Sequence, residues 1–197
     1  MSAKHPTPTT ELDAVNQMLR AIGETPVSSL AESEGLDVPV ATATLEEINI
    51  AVQLEGWDFN TEHDYPFTRN AEGEITVPRN ALNIDFDYRR TGDTQPVQRG
   101  LRLYDRKNHT YKFETNPRGT VILALPFEEL PQAARYYITY RACRKLQDTE
   151  VGSSELHRYN ATDESRARAS FLQLHTDDQD LNMIRDTPEF AHLKGGW

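Results

Sequence analysis

A chain of 197 residues with 37% hydrophobic residues, 26% charged residues and a mean hydropathy of -0.69 has a soluble globular composition, which excludes a disordered chain. Its length allows one good-sized core, or one core with a smaller lobe, and argues against two independent domains. No run approaches the roughly 18 apolar residues that a membrane span needs, and the first residues lack the apolar segment of a secretory signal. We therefore expect synthesis in a cytoplasm and no membrane partner.

Charge and cysteine usage narrow the function classes further. The single cysteine, Cys143, rules out an intramolecular disulfide and a multi-cysteine metal site. A net charge of -10 argues against general affinity for nucleic-acid phosphates, which requires clustered Lys and Arg. Residues 88–118 nevertheless carry eight basic and three acidic side chains, so this segment is +5 and the remainder is -15. A basic segment thus lies within an acidic protein.

Two helices are predicted in the N-terminal part, after an arm over residues 1–9. Thr10 is a candidate N-cap with Asp13 three residues later, and apolar residues then keep helical spacing up to Gly23. The second helix opens at Asp37, and its apolar face consists of Ala41, Leu45, Ile48 and Val52.

The residues after the second helix predict a change from helical to extended structure. Gly56 can end the helix in the left-handed conformation, which costs other residues more. Trp57 and Phe59 are then expected on one side of a strand, as hydrophobic anchors rather than as a ligand platform.

Alternating apolar residues predict five or six short strands between Trp57 and about Leu125. The segment from Arg106 to Thr110 is predicted as a hairpin turn. The strand candidates are residues 75–77, 82–86, 101–103, 111–113 and 121–125.

A third helix is predicted after Pro131, and it has two apolar faces. A helix that is apolar on two faces is usually covered on both, so a neighbouring subunit is expected to supply one cover. One face consists of Ala134, Ile138, Ala142 and Leu146. The other consists of Tyr136, Tyr140 and Cys143.

A fourth helix is predicted to begin at Ser153 or Ser154 and to reach at least Leu174. Ala167, Phe171 and Leu174 share its apolar face. Together the elements predict an α+β fold, namely a helical bundle of about four helices with an inserted small β-rich lobe of short antiparallel strands and an extended C-terminal tail. The expected parts are residues 1–57 (arm and first two helices), 58–125 (inserted lobe), 126–182 (last two helices) and 183–197 (tail).

The sequence offers little for catalysis. It contains no Gly-rich phosphate loop, dinucleotide fingerprint, His-Glu-x-x-His or Gly-x-Ser-x-Gly motif. Glu128 with Glu129, or Asp163 with Glu164, leaves a glycoside hydrolase open, because such enzymes use two carboxylates. Carboxylates at helix starts also have a structural explanation. We expect no catalytic residue, no metal and no cofactor.

Four stretches together resemble one protein family. They are Asn-x-x-Leu-x-x-Ile-Gly-Glu at 16–24, Gly-Trp-x-Phe-Asn at 56–60, Arg-Leu-Tyr-Asp-Arg at 102–106, and Leu-Pro-x-x-x-Arg-Tyr-Tyr-Ile-x-x-Arg-Ala at 130–142. In combination they are similar to the tail tubular protein A family of short-tailed, podovirus-type bacteriophages. The resemblance spans roughly residues 10–180.

This resemblance implies a non-enzymatic structural protein of the virion tail. Twelve copies would form the head-tail adaptor, or gatekeeper, ring between the portal protein and the tail nozzle protein of the tail tubular protein B type. Tail fibre protein would attach nearby, and genomic DNA would pass through the lumen without sequence-specific binding. An acidic protein fits such a channel, because a basic wall would hold the phosphates.

Three sets of contact residues are expected on this basis. The subunit interface is assigned to Tyr136, Tyr140, Arg141, Cys143 and Arg144. Portal docking is assigned to Phe190, Leu193 and Trp197. The nozzle or fibre contact is assigned to Arg89, Arg90, Arg102, Arg106 and Lys107. Two alternatives stay open, a virion-associated carbohydrate hydrolase with paired carboxylates and a DNA-binding module whose affinity falls with salt.

Overall fold

The computed structural model describes residues 7–31, 37–87 and 91–186, with side chains as far as Thr176. Among the described residues, four helices and small antiparallel sheets confirm the predicted α+β class, while residues 187–197 of the expected C-terminal tail lie outside them. In chain order the elements are α1 (Glu11–Ile22), α2 (Asp37–Gln53), β1 (Thr61–Pro66), β2 (Ala81–Asp85), β3 (Pro96–Arg99), β4 (Arg102–Asp105), β5 (Arg118–Leu123), a 3-10 turn (Phe127–Glu129), α3 (Gln132–Glu150) and α4 (Ser154–Asp186).

The chain divides into two compact units. The helical unit contains the residues up to Ile48 and those from Leu130 onward, and the β unit is Asn49–Glu129. The β unit is therefore inserted between two parts of the helical unit in sequence. This unit begins within α2, so it includes the last turn of that helix.

Helix α1 begins and ends at the predicted residues. The hydroxyl of Thr10 accepts the backbone N–H of Asp13 at 3.1 Å, and the Asp13 carboxylate accepts the N–H of Thr10 at 3.0 Å. This capping box satisfies two N–H groups that would otherwise lack a partner. At the other end Gly23 adopts a φ of 89° and donates its N–H to Arg20. Both ends are set by local signals.

Helix α3 is central to the helical unit, because it packs against both α1 and α4. The predicted face Ala134, Ile138, Ala142 and Leu146 is buried. Tyr137, which the sequence analysis did not single out, is also buried, and its ring stacks on Phe171 of α4 with 5.8 Å between centroids. Helices α1 and α4 of the same chain therefore already cover much of the apolar surface of α3.

Helix α4 follows α3 after a short turn and is longer than its predicted minimum. The hydroxyl of Ser153 accepts the N–H of Leu156 at 3.4 Å, as expected of an N-cap. Ala167 and Phe171 are buried as predicted. The prediction for Leu174 is wrong, since this side chain is 54% exposed. Phe171, almost one turn earlier in α4, already stacks on Tyr137, the sixth residue of α3, so little of α3 remains to cover Leu174.

The β unit contains a three-stranded antiparallel sheet with the order β1-β5-β2 and a separate two-stranded antiparallel ribbon, β3-β4. Segments 82–86 and 121–125 are strands largely as predicted, whereas 75–77 and 111–113 form only isolated bridges. Strands β1 and β3 were not predicted. The core consists of Phe67, Ile75, Val77, Phe86, Leu103, Phe113 and Val121.

The corner after α2 corrects one prediction. Gly56 has the expected left-handed φ of 78°, but the residues from Trp57 to Asn60 form a turn, and β1 begins only after it. The Asn60 side chain holds this turn, because its oxygen accepts the N–H of Trp57 at 2.9 Å. Its nitrogen donates to the carbonyls of Gln53 and Leu123, each at 2.9 Å. Trp57 is buried, as an anchor should be.

Candidate assembly surfaces

A groove on the helical unit is lined by two tyrosines of α3. The rings of Tyr136 and Tyr140 meet edge to face with 4.6 Å between centroids, and their hydroxyl oxygens are 3.0 Å apart. Tyr136 is 46% exposed. The groove has a volume of about 290 Å³ and is completed by four residues of α4. We call it the tyrosine groove, and its residues are Tyr136, Tyr140, Asp163, Arg166, Ala167 and Ser170.

The chemistry of the tyrosine groove suits a protein contact. The hydroxyl hydrogen bond with Tyr136, together with burial, raises the pKa of Tyr140 to about 12, so this phenol stays uncharged well above neutral pH. Asp163 and Arg166 form an ion pair at 3.5 Å on the rim. Partly exposed aromatic rings with polar tips, bordered by charges, are typical of the centre and rim of protein interfaces.

The other residues assigned to the subunit interface engage their own chain. Arg144 forms an ion pair with Glu164 of α4, and an Arg141 nitrogen lies 3.3 Å from the Tyr137 hydroxyl. Cys143 is buried, and burial raises the pKa of its thiol to about 12. Tyr136 and Tyr140 are therefore the residues of the assigned subunit interface that present aromatic surface to a partner.

Several assigned contact residues lie outside the described part of the chain. These are the portal-docking set Phe190, Leu193 and Trp197, and two members of the nozzle or fibre set, Arg89 and Arg90.

The β3-β4 ribbon carries a second surface. Gly100 has a φ of 59° and starts the tight turn between the two strands, where glycine is favoured. The register pairs Val97 with Tyr104 and Arg99 with Arg102, so these four side chains share one face. The other face of β4 packs into the core of the β unit.

The outer face of the ribbon stacks arginines on tyrosines. The Arg99 guanidinium lies 3.6 Å from the centroid of the Tyr104 ring, and that of Arg102 lies 4.4 Å from the Tyr111 ring. The two rings meet edge to face at 4.9 Å. One Arg102 nitrogen is 3.0 Å from both carboxylate oxygens of Glu74. We call Arg99, Arg102, Tyr104 and Tyr111 the arginine–tyrosine face.

Of the assigned nozzle or fibre residues that the structure describes, Arg102 alone belongs to this face. Arg106 and Lys107 lie in the following turn, where Lys107 forms an ion pair with Asp93. Arg99, Tyr104 and Tyr111 are not among the contact residues predicted from the sequence. The two-residue turn at Gly100 and Leu101 could have found Arg99 and Tyr104, because it fixes which side chains of the ribbon share a face, but it does not place Tyr111.

A buried carboxylate holds the turn beside this face. Asp105 is 1% exposed, and its carboxylate accepts the backbone N–H groups of Gln95 and Lys107 at 2.9 Å and the side-chain amide of Asn108 at 2.7 Å. Burial alone would raise the pKa of Asp105, but these hydrogen bonds outweigh it and lower the pKa below its usual value. Its own N–H donates to the carbonyl of Thr110 at 2.8 Å, which confirms the predicted hairpin turn.

We expect Asp105→Asn to lower the free energy of unfolding by about 2 kcal/mol at neutral pH, because charge-assisted hydrogen bonds to the backbone are lost. The folded-state pKa is lowered, so the carboxylate stabilises the fold above its unfolded pKa of about 3.9 and this contribution is lost as the pH falls through the folded value. Urea unfolding from pH 7 downward should show the gap to the wild type shrinking below about pH 4. Asp85→Asn, on an exposed residue, is the control. A gap independent of pH contradicts this account.

The two carboxylate pairs that the sequence offers for catalysis are either exposed or engaged by arginines. Glu128 and Glu129 are exposed neighbours in the 3-10 turn, and Glu164 is engaged by Arg144. Within residues 7–31, 37–87 and 91–176 no group of three or more His, Cys, Asp or Glu side chains could hold a metal ion. None of the helices described is both long and apolar enough to cross a membrane.

Comparisons with known proteins agree with the resemblance in the sequence. A family profile described as "Tail tubular protein" matches residues 12–181. Tail tubular protein A of Klebsiella phage KP34 is 26% identical over 169 residues, which cover 86% of this chain and 88% of that protein. The profile match covers most of the chain and includes the tyrosine groove and the arginine–tyrosine face. The chain therefore belongs to the tail tubular protein family, and it is a structural, non-enzymatic component of the phage tail that assembles with other tail proteins.

Proposed function

We propose that this protein forms the adaptor ring between the portal and the tail nozzle. Twelve copies, made in the host cytoplasm, close a ring in the virion tail, fibres attach nearby, and genomic DNA passes through the lumen. The observation that carries this proposal is the family match over residues 12–181, which includes the whole β unit and most of the helical unit. Its relative is named a tail tubular protein A, which supports the adaptor position.

The tyrosine groove is proposed as one side of the contact between neighbouring copies. A closed ring of identical subunits uses two different surfaces on each copy, so the groove receives another part of its neighbour. Tyr136 and Tyr140 serve as anchors, because exposed aromatic residues carry much of the energy of protein interfaces. Arg141 and Arg144 lie on the same helix and would flank the contact, with Cys143 beneath it.

The contacts with the portal and with the nozzle or fibre are assigned to other residues. Portal docking is assigned to Phe190, Leu193 and Trp197. Nozzle or fibre contact is assigned to Arg89, Arg90, Arg102, Arg106 and Lys107. The net charge of -10 supports a lumen through which DNA slides without being held. The carbohydrate-hydrolase alternative has no support from the described carboxylates and is not proposed.

Substitution of Tyr136 tests the ring contact. Tyr136→Lys should lose about 2 kcal/mol per subunit contact, or about thirtyfold in affinity, because a central aromatic anchor is replaced by a charge. The measurement is ring formation on purified portal from the same phage, followed by electron microscopy and by titration of the amount of protein required. Tyr159→Lys is the matched control, since Tyr159 is 57% exposed on α4 outside the groove. Equal ring formation by both variants would contradict the assignment of the groove.

A further inference from the structure

We propose that the arginine–tyrosine face is the docking surface for an acidic segment of another tail protein, in which a carboxylate binds Arg99 and a neighbouring apolar side chain packs on Leu101. This inference deepens the nozzle or fibre contact. It rests on the proposed function only in taking the partner to be another component of the tail.

Arg99 supplies the anion-binding group. Its guanidinium stacks on the Tyr104 ring at 3.6 Å, and stacking leaves the N–H donors at the edge of the guanidinium plane available. Within the part of the chain that the structure describes, no carboxylate pairs with Arg99, whereas Arg102 is compensated by Glu74. A planar, oriented and uncompensated guanidinium is suited to a carboxylate with two oxygens.

The other members of the face hold Arg99 in position. Tyr104 is braced edge to face by Tyr111, and Arg102 covers Tyr111 while bound to Glu74. Arg102 is therefore a positioning residue rather than the anion site. This arrangement lowers the cost of ordering Arg99 on binding, since its side chain is already oriented in the free protein.

The tip of the ribbon adds an apolar contact. Leu101 follows Gly100 in the tight turn and is 48% exposed. An exposed leucine two residues from an uncompensated guanidinium fits a partner segment in which an acidic residue lies next to an apolar one. Charge and apolar area together make the surface selective for such a segment.

The partner binds through side chains rather than by adding a strand. Pro96 opens β3 and has no N–H to donate, and a proline in an edge strand hinders pairing with another strand. The register also directs Arg99, Arg102 and Tyr104 outward from one face of the ribbon. The face, not the edge, is therefore the docking surface.

An acidic protein segment fits this surface better than nucleic acid does. Binding to a phosphate backbone requires a stripe of uncompensated cations. Here Glu74 neutralises Arg102, Asp93 neutralises Lys107, and the protein carries a net charge of -10. One oriented guanidinium beside a leucine matches a single carboxylate in a protein.

The first test is an NMR titration of the isotopically labelled full-length protein. The ligand is a short synthetic peptide composed of glutamate, leucine and glycine. The comparison ligands are the same peptide with glutamine in place of glutamate, and a double-stranded DNA oligonucleotide. We expect the glutamate peptide alone to shift the Nε–H signal of Arg99 and the methyl signals of Leu101. Arg99→Gln should weaken its binding roughly tenfold, the effect of losing a charge-assisted pair.

Arg158→Gln is the control in this titration, because Arg158 is also exposed and lies over a tyrosine ring, that of Tyr159 at 5.7 Å, on α4. It should leave peptide binding unchanged. Equal binding of the peptide to Arg99→Gln would overturn the proposal. Shifts of the same signals by DNA and not by the glutamate peptide would overturn it in favour of a phosphate ligand.

The second test uses a phage whose own copy of the gene is inactivated and is supplied in trans. Arg99→Glu should yield particles in which the protein is attached to the portal but a further tail component is lost, while Arg158→Glu yields complete particles. An acidic-to-lysine change in the lost component that restores assembly would support the proposal directly. Complete tails with Arg99→Glu would overturn the docking proposal but would not contradict the adaptor ring. If the wild-type protein did not join the portal, the adaptor role would be contradicted. The peptide titration would then still test the docking of an acidic segment at Arg99.

Discussion

Gln53→Leu should lower the free energy of unfolding by about 3 kcal/mol, because it leaves two partly buried backbone groups and the buried Asn49 amide oxygen without the partners that Gln53 supplies. Gln53 is 0% exposed. Its amide nitrogen donates to the carbonyl of Leu125 at 2.9 Å and to the Asn49 side chain at 3.0 Å, and its oxygen accepts the N–H of Leu125 at 2.8 Å. Leucine has a similar volume but cannot satisfy either backbone group of Leu125. Each unpaired buried group costs about 1–3 kcal/mol.

Urea unfolding followed by circular dichroism measures this loss. Gln173→Leu makes the same chemical change at an exposed position of α4 and should alter the free energy of unfolding by less than about 0.5 kcal/mol. If the Gln53 variant were no less stable than the Gln173 variant, the buried amide would not organise the end of α2 as described.

Gly119→Ala is expected to cost about 3 kcal/mol for a different reason, namely overpacking between strands. Gly119 lies in β5, the central strand of the three-stranded sheet. A Cβ added there would lie 2.6 Å from the carbonyl oxygen of Asp85 and 2.9 Å from the Phe86 ring. The nearest atom belongs to the backbone of β2, so it cannot move aside without disturbing the sheet.

Gly100→Ala separates this steric effect from backbone strain. No atom lies within 4 Å of a Cβ at Gly100, but its φ of 59° is unfavourable for alanine. The expected loss is therefore about 1 kcal/mol. Thermal and urea unfolding of the two variants should rank Gly119→Ala as clearly the less stable. The reverse order would mean that the strands separate easily at Gly119.

The helices could be predicted because their signals are local. The capping box of Thr10 and Asp13 and the left-handed Gly23 involve residues close in sequence, so the sequence places both ends of α1. The spacing of Tyr136 and Tyr140 likewise puts both rings on one face of α3. Cys143 shares that face, but its side chain is short and the folded chain covers it.

Strand β1 and the corner after α2 depend on distant partners, and the prediction failed at these two places. The polar segment Thr61–Pro66 becomes β1 because it pairs with β5, not because its own residues alternate. The turn at Trp57 is closed by Asn60, whose side chain reaches a carbonyl 63 residues away in sequence. The arginine–tyrosine face needs the register of β3 with β4 and the position of Tyr111. The turn at Gly100 and Leu101 is a local signal for that register, but no local pattern places Tyr111 against Tyr104.

The mass of the complex that forms when the full-length protein is mixed with purified portal of the same phage tests the adaptor ring most directly. Light scattering after size-exclusion chromatography gives this mass. The account predicts an increase equal to twelve copies of the 22.5 kDa chain per portal ring. A protein that stays separate from the portal, or that binds it in another ratio, would contradict the adaptor ring.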